Sequence, residues 1–147
     1  MSPVSGRDIS PRVTDPTPKI SPMRSALAVL AGIVSLGILN VLFMIVAGSA
    51  LAPLYPPSAL PTTAGLALMI ASGVVNGALG GLLTARIAQS APFAHAALLI
   101  GVWGVYTVGA IEQLSHYPGW FVIGLVLATP IGCVMGAAIA RRTARAK

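Results

Sequence analysis

Residues 25–52 read SALAVLAGIVSLGILNVLFMIVAGSALA, 28 residues without a charge. A bilayer core about 30 Å thick takes roughly 20 apolar residues of helix, and a charge held at mid-depth costs about 2.5–3.5 kcal/mol. The stretch is long enough to cross and holds nothing that opposes crossing. Three more meet the same condition, at about 62–85, 93–111 and 119–140. Between Ser25 and Ala140 the only formal charges are Arg86 and Glu112, each just outside a span. The sequence therefore predicts an all-α membrane protein with four transmembrane helices in an antiparallel bundle. A Pro/Ser-rich basic tail over 1–24 precedes the membrane domain of 25–141, and a basic end follows over 142–147.

Composition points the same way. Of 147 residues, 56% are apolar and 8% charged, with a net charge of +6 and a mean hydropathy of +0.88. Soluble domains carry about 25% charged residues. These values exclude an ordinary soluble enzyme, a disordered chain and a disulfide-stapled secreted domain. Cys133 is the only cysteine, so no intramolecular disulfide or clustered thiolate site is available. It reads as a small apolar packing residue.

Proline punctuates the spans. Five of the twelve lie in the tail and four between Pro53 and Pro61, while Pro92 and Pro118 mark helix entries, where a missing N–H costs nothing. Pro130 alone falls inside a span, and a kink is expected there, with neighbouring groups satisfying the carbonyl it frees. The basic residues set the orientation. Arg7, Arg12, Lys19 and Arg24 precede the first span, Arg86 follows the second, and Arg141, Arg142, Arg145 and Lys147 follow the fourth. The other two loops have none, which places both termini on the cytoplasmic side. Tyr55, Tyr117, Trp120 and Phe121 then fall near the outer interface. Ala50-Leu51-Ala52 resembles a signal-peptide cleavage site, but the apolar run far exceeds the roughly 7–15 residues of such a signal, so the first span is read as retained.

The second and fourth spans echo each other at an offset of 59. Gly65, Gly73, Gly77 and Thr84-Ala85-Arg86 align with Gly124, Gly132, Gly136 and Thr143-Ala144-Arg145. Both spans run outside to inside, so the echo suggests an internal repeat of two hairpins related about the membrane normal.

Candidate functional residues fall into three groups. Gly73, Gly77 and Gly81, and then Gly132 and Gly136 with Ala140, recur every four residues. Such ridges flatten one helix face so that a second backbone can approach, within the bundle or on another subunit. Asn40 and Asn76 are the polar side chains deep in the spans, expected to hydrogen-bond between helices or to contact a substrate. Glu112 and His116, four residues apart, read as solvated loop groups or as a pair sensitive to outside pH. His95 is read as a helix-start histidine, with haem or pigment ligation the sharper alternative. No catalytic triad, zinc motif, P-loop or dinucleotide fingerprint occurs. No cofactor, metal site or enzymatic activity is expected.

Leu30-Ala31-Gly32, Leu54-Tyr55-Pro56-Pro57, the run from Gly80-Gly81 through Thr84-Ala85-Arg86 to Ala88, His95-Ala96, Gly101 and Pro118-Gly119-Trp120-Phe121 resemble a widespread, uncharacterised family of small bacterial four-span membrane proteins. The likeness covers roughly 24–141. It implies the four-span fold and a bacterial inner membrane, and no activity. In that family the first span often ends in Glu and the first loop is longer; here the span has no acid, which weakens any proton-handling role.

The functional expectation is an accessory or structural subunit of a larger membrane complex, respiratory or photosynthetic assemblies being suitable hosts. Its partners would be larger membrane subunits, met through the glycine ridges and the N-terminal tail. The Lys/Arg ends would meet anionic lipids, and no nucleic acid is expected. The alternative is a small homo-oligomeric transporter or channel with Asn40, Asn76 and Glu112 along its path.

Overall fold

The computed structural model describes residues 22–56, 59–88 and 91–145. These form α1 (Pro22–Ser49), a short 3-10 turn (Ala52–Leu54), α2 (Thr63–Ala88), α3 (Pro92–Gly109), α4 (Ile111–Leu114) and α5 (Gly119–Arg145), with no strand among them. Four of the helices, α1, α2, α3 and α5, are long and apolar enough to cross a membrane. The proposed docking or lipid-binding role of the tail through Arg7, Arg12 and Lys19 lies outside the described residues, as does Lys147.

Local chemistry explains the helix ends. Thr62 caps α2: its Oγ1 accepts the Gly65 N–H at 3.1 Å, supplying one of the four donors that a helix start leaves open. The same residue ties the loop back, its N–H donating to the Leu54 carbonyl at 2.9 Å. The Tyr55 hydroxyl donates to the Gly65 carbonyl at 2.8 Å, and burial pushes its pKa up from 10.0. At the other end of the bundle, Arg24 Nε donates at 2.9 Å to the carbonyl of Ile87 in the last turn of α2, where a cation suits the helix dipole.

The helix limits differ from the sequence reading by up to five residues, and two of the differences are informative. The final helix runs to Arg145, so Arg142 and Arg145 belong to it rather than to a separate basic end. Charge marks the edge of the hydrocarbon, but arginine is a good helix former and no glycine or proline follows Gly136. The Arg141 guanidinium lies 5.7 Å from the Phe93 ring, over its face. The third span ends at Gly109, and α4 turns away as a separate helix.

The most extensive contact joins α2 to α5; α1 packs on α2 and α3 on α5. Along α1 and α2 the partners run in opposite senses, with Arg24 beside Ile87, Gly32 beside Thr84 and Leu36 beside Gly80. Along α2 and α5 they run in the same sense: Ile70 meets Gly124, Gly73 meets Ala128 and Gly81 meets Cys133. The closest pair is thus parallel, which the expectation of an antiparallel bundle did not single out. The core is mostly small residues, among them Ala85, Ala128, Cys133 and Ala137, with Leu66, Leu99 and Phe121 the large exceptions, while Val105, Val108 and Ile123 stand 64–76% exposed. Small inside and large outside is the pattern that suits packing in lipid, where apolar burial between helices gains little and close backbone approach gains most.

Pro130 lies within α5 and has no N–H to give the Val126 carbonyl one turn back. Trp103 of α3 supplies the missing donor, its Nε1 lying 3.4 Å from Val126 O. A neighbouring helix therefore meets the need that the proline creates.

Candidate functional site

All five ridge glycines face the α2–α5 seam. A Cβ built on Gly77 would run into the Thr129 carbonyl oxygen, and one on Gly81 into that of Cys133. From the opposite helix, a Cβ on Gly132 would strike the Val74 carbonyl and one on Gly136 that of Ala78. In each case the Cα–H that a side chain would replace points at a carbonyl oxygen. Such C–H···O contacts are worth about 0.5–1 kcal/mol each, so the four contribute roughly 2–4 kcal/mol. The pattern is reciprocal. A shift of 55 residues carries Val74, Gly77, Ala78 and Gly81 onto Thr129, Gly132, Cys133 and Gly136, and turns each contact into its counterpart. The local two-fold of the seam is therefore four residues, about one turn, away from the sequence echo at 59. The echoing helices are neighbours, but they do not pack in the register of the echo.

Thr84 and Gly32 were not singled out as site residues by the sequence. Thr84 is fully buried, and its Oγ1 is the one buried side-chain oxygen or nitrogen without a hydrogen-bond partner among the described residues. A Cβ on Gly32 would collide with it, so a Gly32 Cα–H faces it across the α1–α2 seam. The glycine admits the hydroxyl, and the hydroxyl oxygen is left with only this weak donor.

The polar candidates are dispersed. Gly32, Leu36 and Asn40 step along α1 in fours while Thr84, Gly80 and Asn76 step back along α2, so the register sets Asn40 and Asn76 at one height. No hydrogen bond joins them: Asn40 is exposed and Asn76 half-buried. The expected interhelical bond is thus not formed in this structure. Glu112 and His116 are both exposed at the α4 end, with neither a hydrogen bond nor an ion pair between them. The Glu112 carbonyl instead accepts the Ser115 hydroxyl at 2.6 Å. At the opposite end His95 is 5% exposed in the first turn of α3. Its Nδ1 lies 3.1 Å from the Ala91 carbonyl, which also accepts the N–H groups of Ala94 and His95. A carbonyl only accepts, so Nδ1 carries the proton and the ring secures the helix start. Ala91 adopts a left-handed conformation with φ of 43°, unusual for a residue with a side chain, and this turns its carbonyl into the helix.

Among the described residues, no three His, Cys, Asp or Glu side chains come together. Arg24, Arg86, Arg141 and Arg142 share one end of the bundle with no acid among the described residues, Glu112 being at the other end. No family model, curated protein or solved structure matches the chain.

Proposed function

We propose that this chain is a small structural subunit of a larger membrane assembly, with no chemistry of its own. The observation that carries the reading is the outer face of α3. Gly101 and Gly104 are exposed, and a Cβ on either would meet nothing within 4 Å. Around them Val105 is 76% and Val108 71% exposed. Glycine inside an exposed helix is about 1 kcal/mol less favourable than alanine. On α2 and α5 the same device is matched by close backbone approach, whereas on α3 none of the described helices makes use of it. A transmembrane helix of another protein fits that face. The setting we assign is the bacterial inner membrane, following the family resemblance, with the arginine-bearing end cytoplasmic and in contact with anionic lipid.

The path required of a transporter receives less support. Asn40 opens outward, Glu112 is at the far end, and the seam between α2 and α5 is closed by backbone contact. Native purification through a C-terminal tag in mild detergent, with mass spectrometry of the product, tests the subunit reading. Stoichiometric larger partners are expected, and Gly101→Leu with Gly104→Leu should release them. A product free of larger partners would overturn it.

A further inference from the structure

The surface of α1 that α2 leaves uncovered is the most open of the bundle. Only 6% of its membrane window is buried within the chain, against 33% for α5. Asn40 is exposed at the edge of this surface, next to the stripe that meets α2, and its neighbours on the open side at steps of three and four are Gly37 and Met44, with Val41 beyond it. Val41 is 58% and Met44 56% exposed, and a Cβ on Gly37 would meet nothing within 4 Å. In hydrocarbon a carboxamide with two donors and an acceptor needs partners, and Asn40 has none among the described residues. What satisfies it must both donate and accept, and must approach a helix surface that Gly37 leaves flat.

We propose that this face docks against the same face of a second copy of the chain. A carboxamide is its own hydrogen-bonding complement: across a two-fold axis along the membrane normal, each Asn40 donates to the other's carbonyl oxygen and accepts from its NH2. Gly37 lets the two α1 helices cross close to that pair, and Val41 and Met44 close over it. The two-fold is isologous, so the assembly stops at a dimer. This face is distinct from the α3 face of the subunit reading, and each stands without the other.

The test uses the full chain in vesicles of phosphatidylethanolamine and phosphatidylglycerol. Val41→Cys reports the interface by oxidative cross-linking, and Ile123→Cys, 64% exposed on α5, is the control. Cys133 stays in place because it is fully buried. Single-molecule photobleaching counts copies independently. The expected results are two-step bleaching, a disulfide dimer from Val41→Cys and none from Ile123→Cys. Asn40→Leu should weaken the dimer about tenfold, and Asn40→Gln, which keeps the amide, should retain most of it. Circular dichroism checks that the variants keep their helix content, with Asn40→Ala read in place of any that do not. One-step bleaching, equal cross-linking from both cysteines, or a dimer indifferent to Asn40→Leu would each overturn the proposal. Pairing of Asn40 with Asn76 inside the chain would produce the last of these.

Discussion

Gly136→Ala adds one methyl at one of the tightest backbone approaches among the described residues. That methyl would collide with the Ala78 carbonyl oxygen and lie 2.6 Å from the Leu82 nitrogen and 3.0 Å from the Ala78 carbonyl carbon. Ordinary contact begins near 3.4 Å, so the Leu82 nitrogen alone must retreat by about 0.8 Å. All three atoms belong to a helix backbone and cannot move singly; α2 and α5 must part. A gap of about 0.5–1 Å forfeits a quarter to a half of the local dispersion energy, and it stretches the four glycine C–H···O contacts, together worth about 2–4 kcal/mol. Alanine returns about 0.5–1 kcal/mol of helix preference. The net expectation is a loss of about 2 kcal/mol, within the range of overpacked cores. Gly101→Ala gains the same helix preference and meets nothing within 4 Å, so it should be neutral or stabilising by up to about 1 kcal/mol. Unfolding of the purified full chain in mixed micelles, followed by circular dichroism, measures both. The reasoning is refuted if Gly136→Ala unfolds with the parent, or if the two variants are equally harmed.

Gly32→Ala should destabilise by about 1–3 kcal/mol because its methyl would collide with Thr84 Oγ1; Thr84→Ala in the same chain should restore most of the loss, and additive effects would show that the two do not meet. Trp103→Phe should cost about 1 kcal/mol by leaving the Val126 carbonyl without its donor. In a Pro130→Ala background, where an N–H is again present, the cost of that change should fall, and a double-mutant cycle measures the coupling. Burial raises the Tyr55 pKa above 10.0, so the unfolded chain loses this proton first as the solution becomes alkaline. The contribution is fully present below pH 10 and is lost as pH rises through the folded value. Stability should therefore fall more steeply above pH 10 for the parent than for Tyr55→Phe, and parallel titration curves would contradict the assignment.

How much of this was legible in the sequence depended on whether the signal was local. The spans follow from where charge is absent, a property of each segment alone. The glycine ridges were equally plain, since spacing by four sets residues on one face whatever the partner is. The partner was not plain: nothing in Gly73, Gly77 and Gly81 says whether a neighbouring or a distant helix covers them, and the sequence echo suggests a register one turn from the one adopted. The donor to Val126 was half legible, because Pro130 announces a freed carbonyl but not the Trp103 that answers it. Thr84 and Gly32 carry no periodic signal and matter only through contact across a seam. The helix end at Arg145 was missed because the limit of the hydrocarbon was taken for the limit of the helix.

The parallel seam has a consequence for synthesis. Val74 and Ala78 find their partners at Gly132 and Gly136, more than 50 residues later in the chain. The α1–α2 hairpin can form early, held by Arg24 on Ile87 and by Gly32 on Thr84. The glycine face of α2 must then wait in the bilayer, uncovered, until the last helix has been made and inserted. Contacts of such long sequence separation form late and leave incomplete chains exposed to association. A nascent or truncated chain ending before α5 would present to its surroundings the flat, adhesive surface that the finished protein keeps entirely for itself.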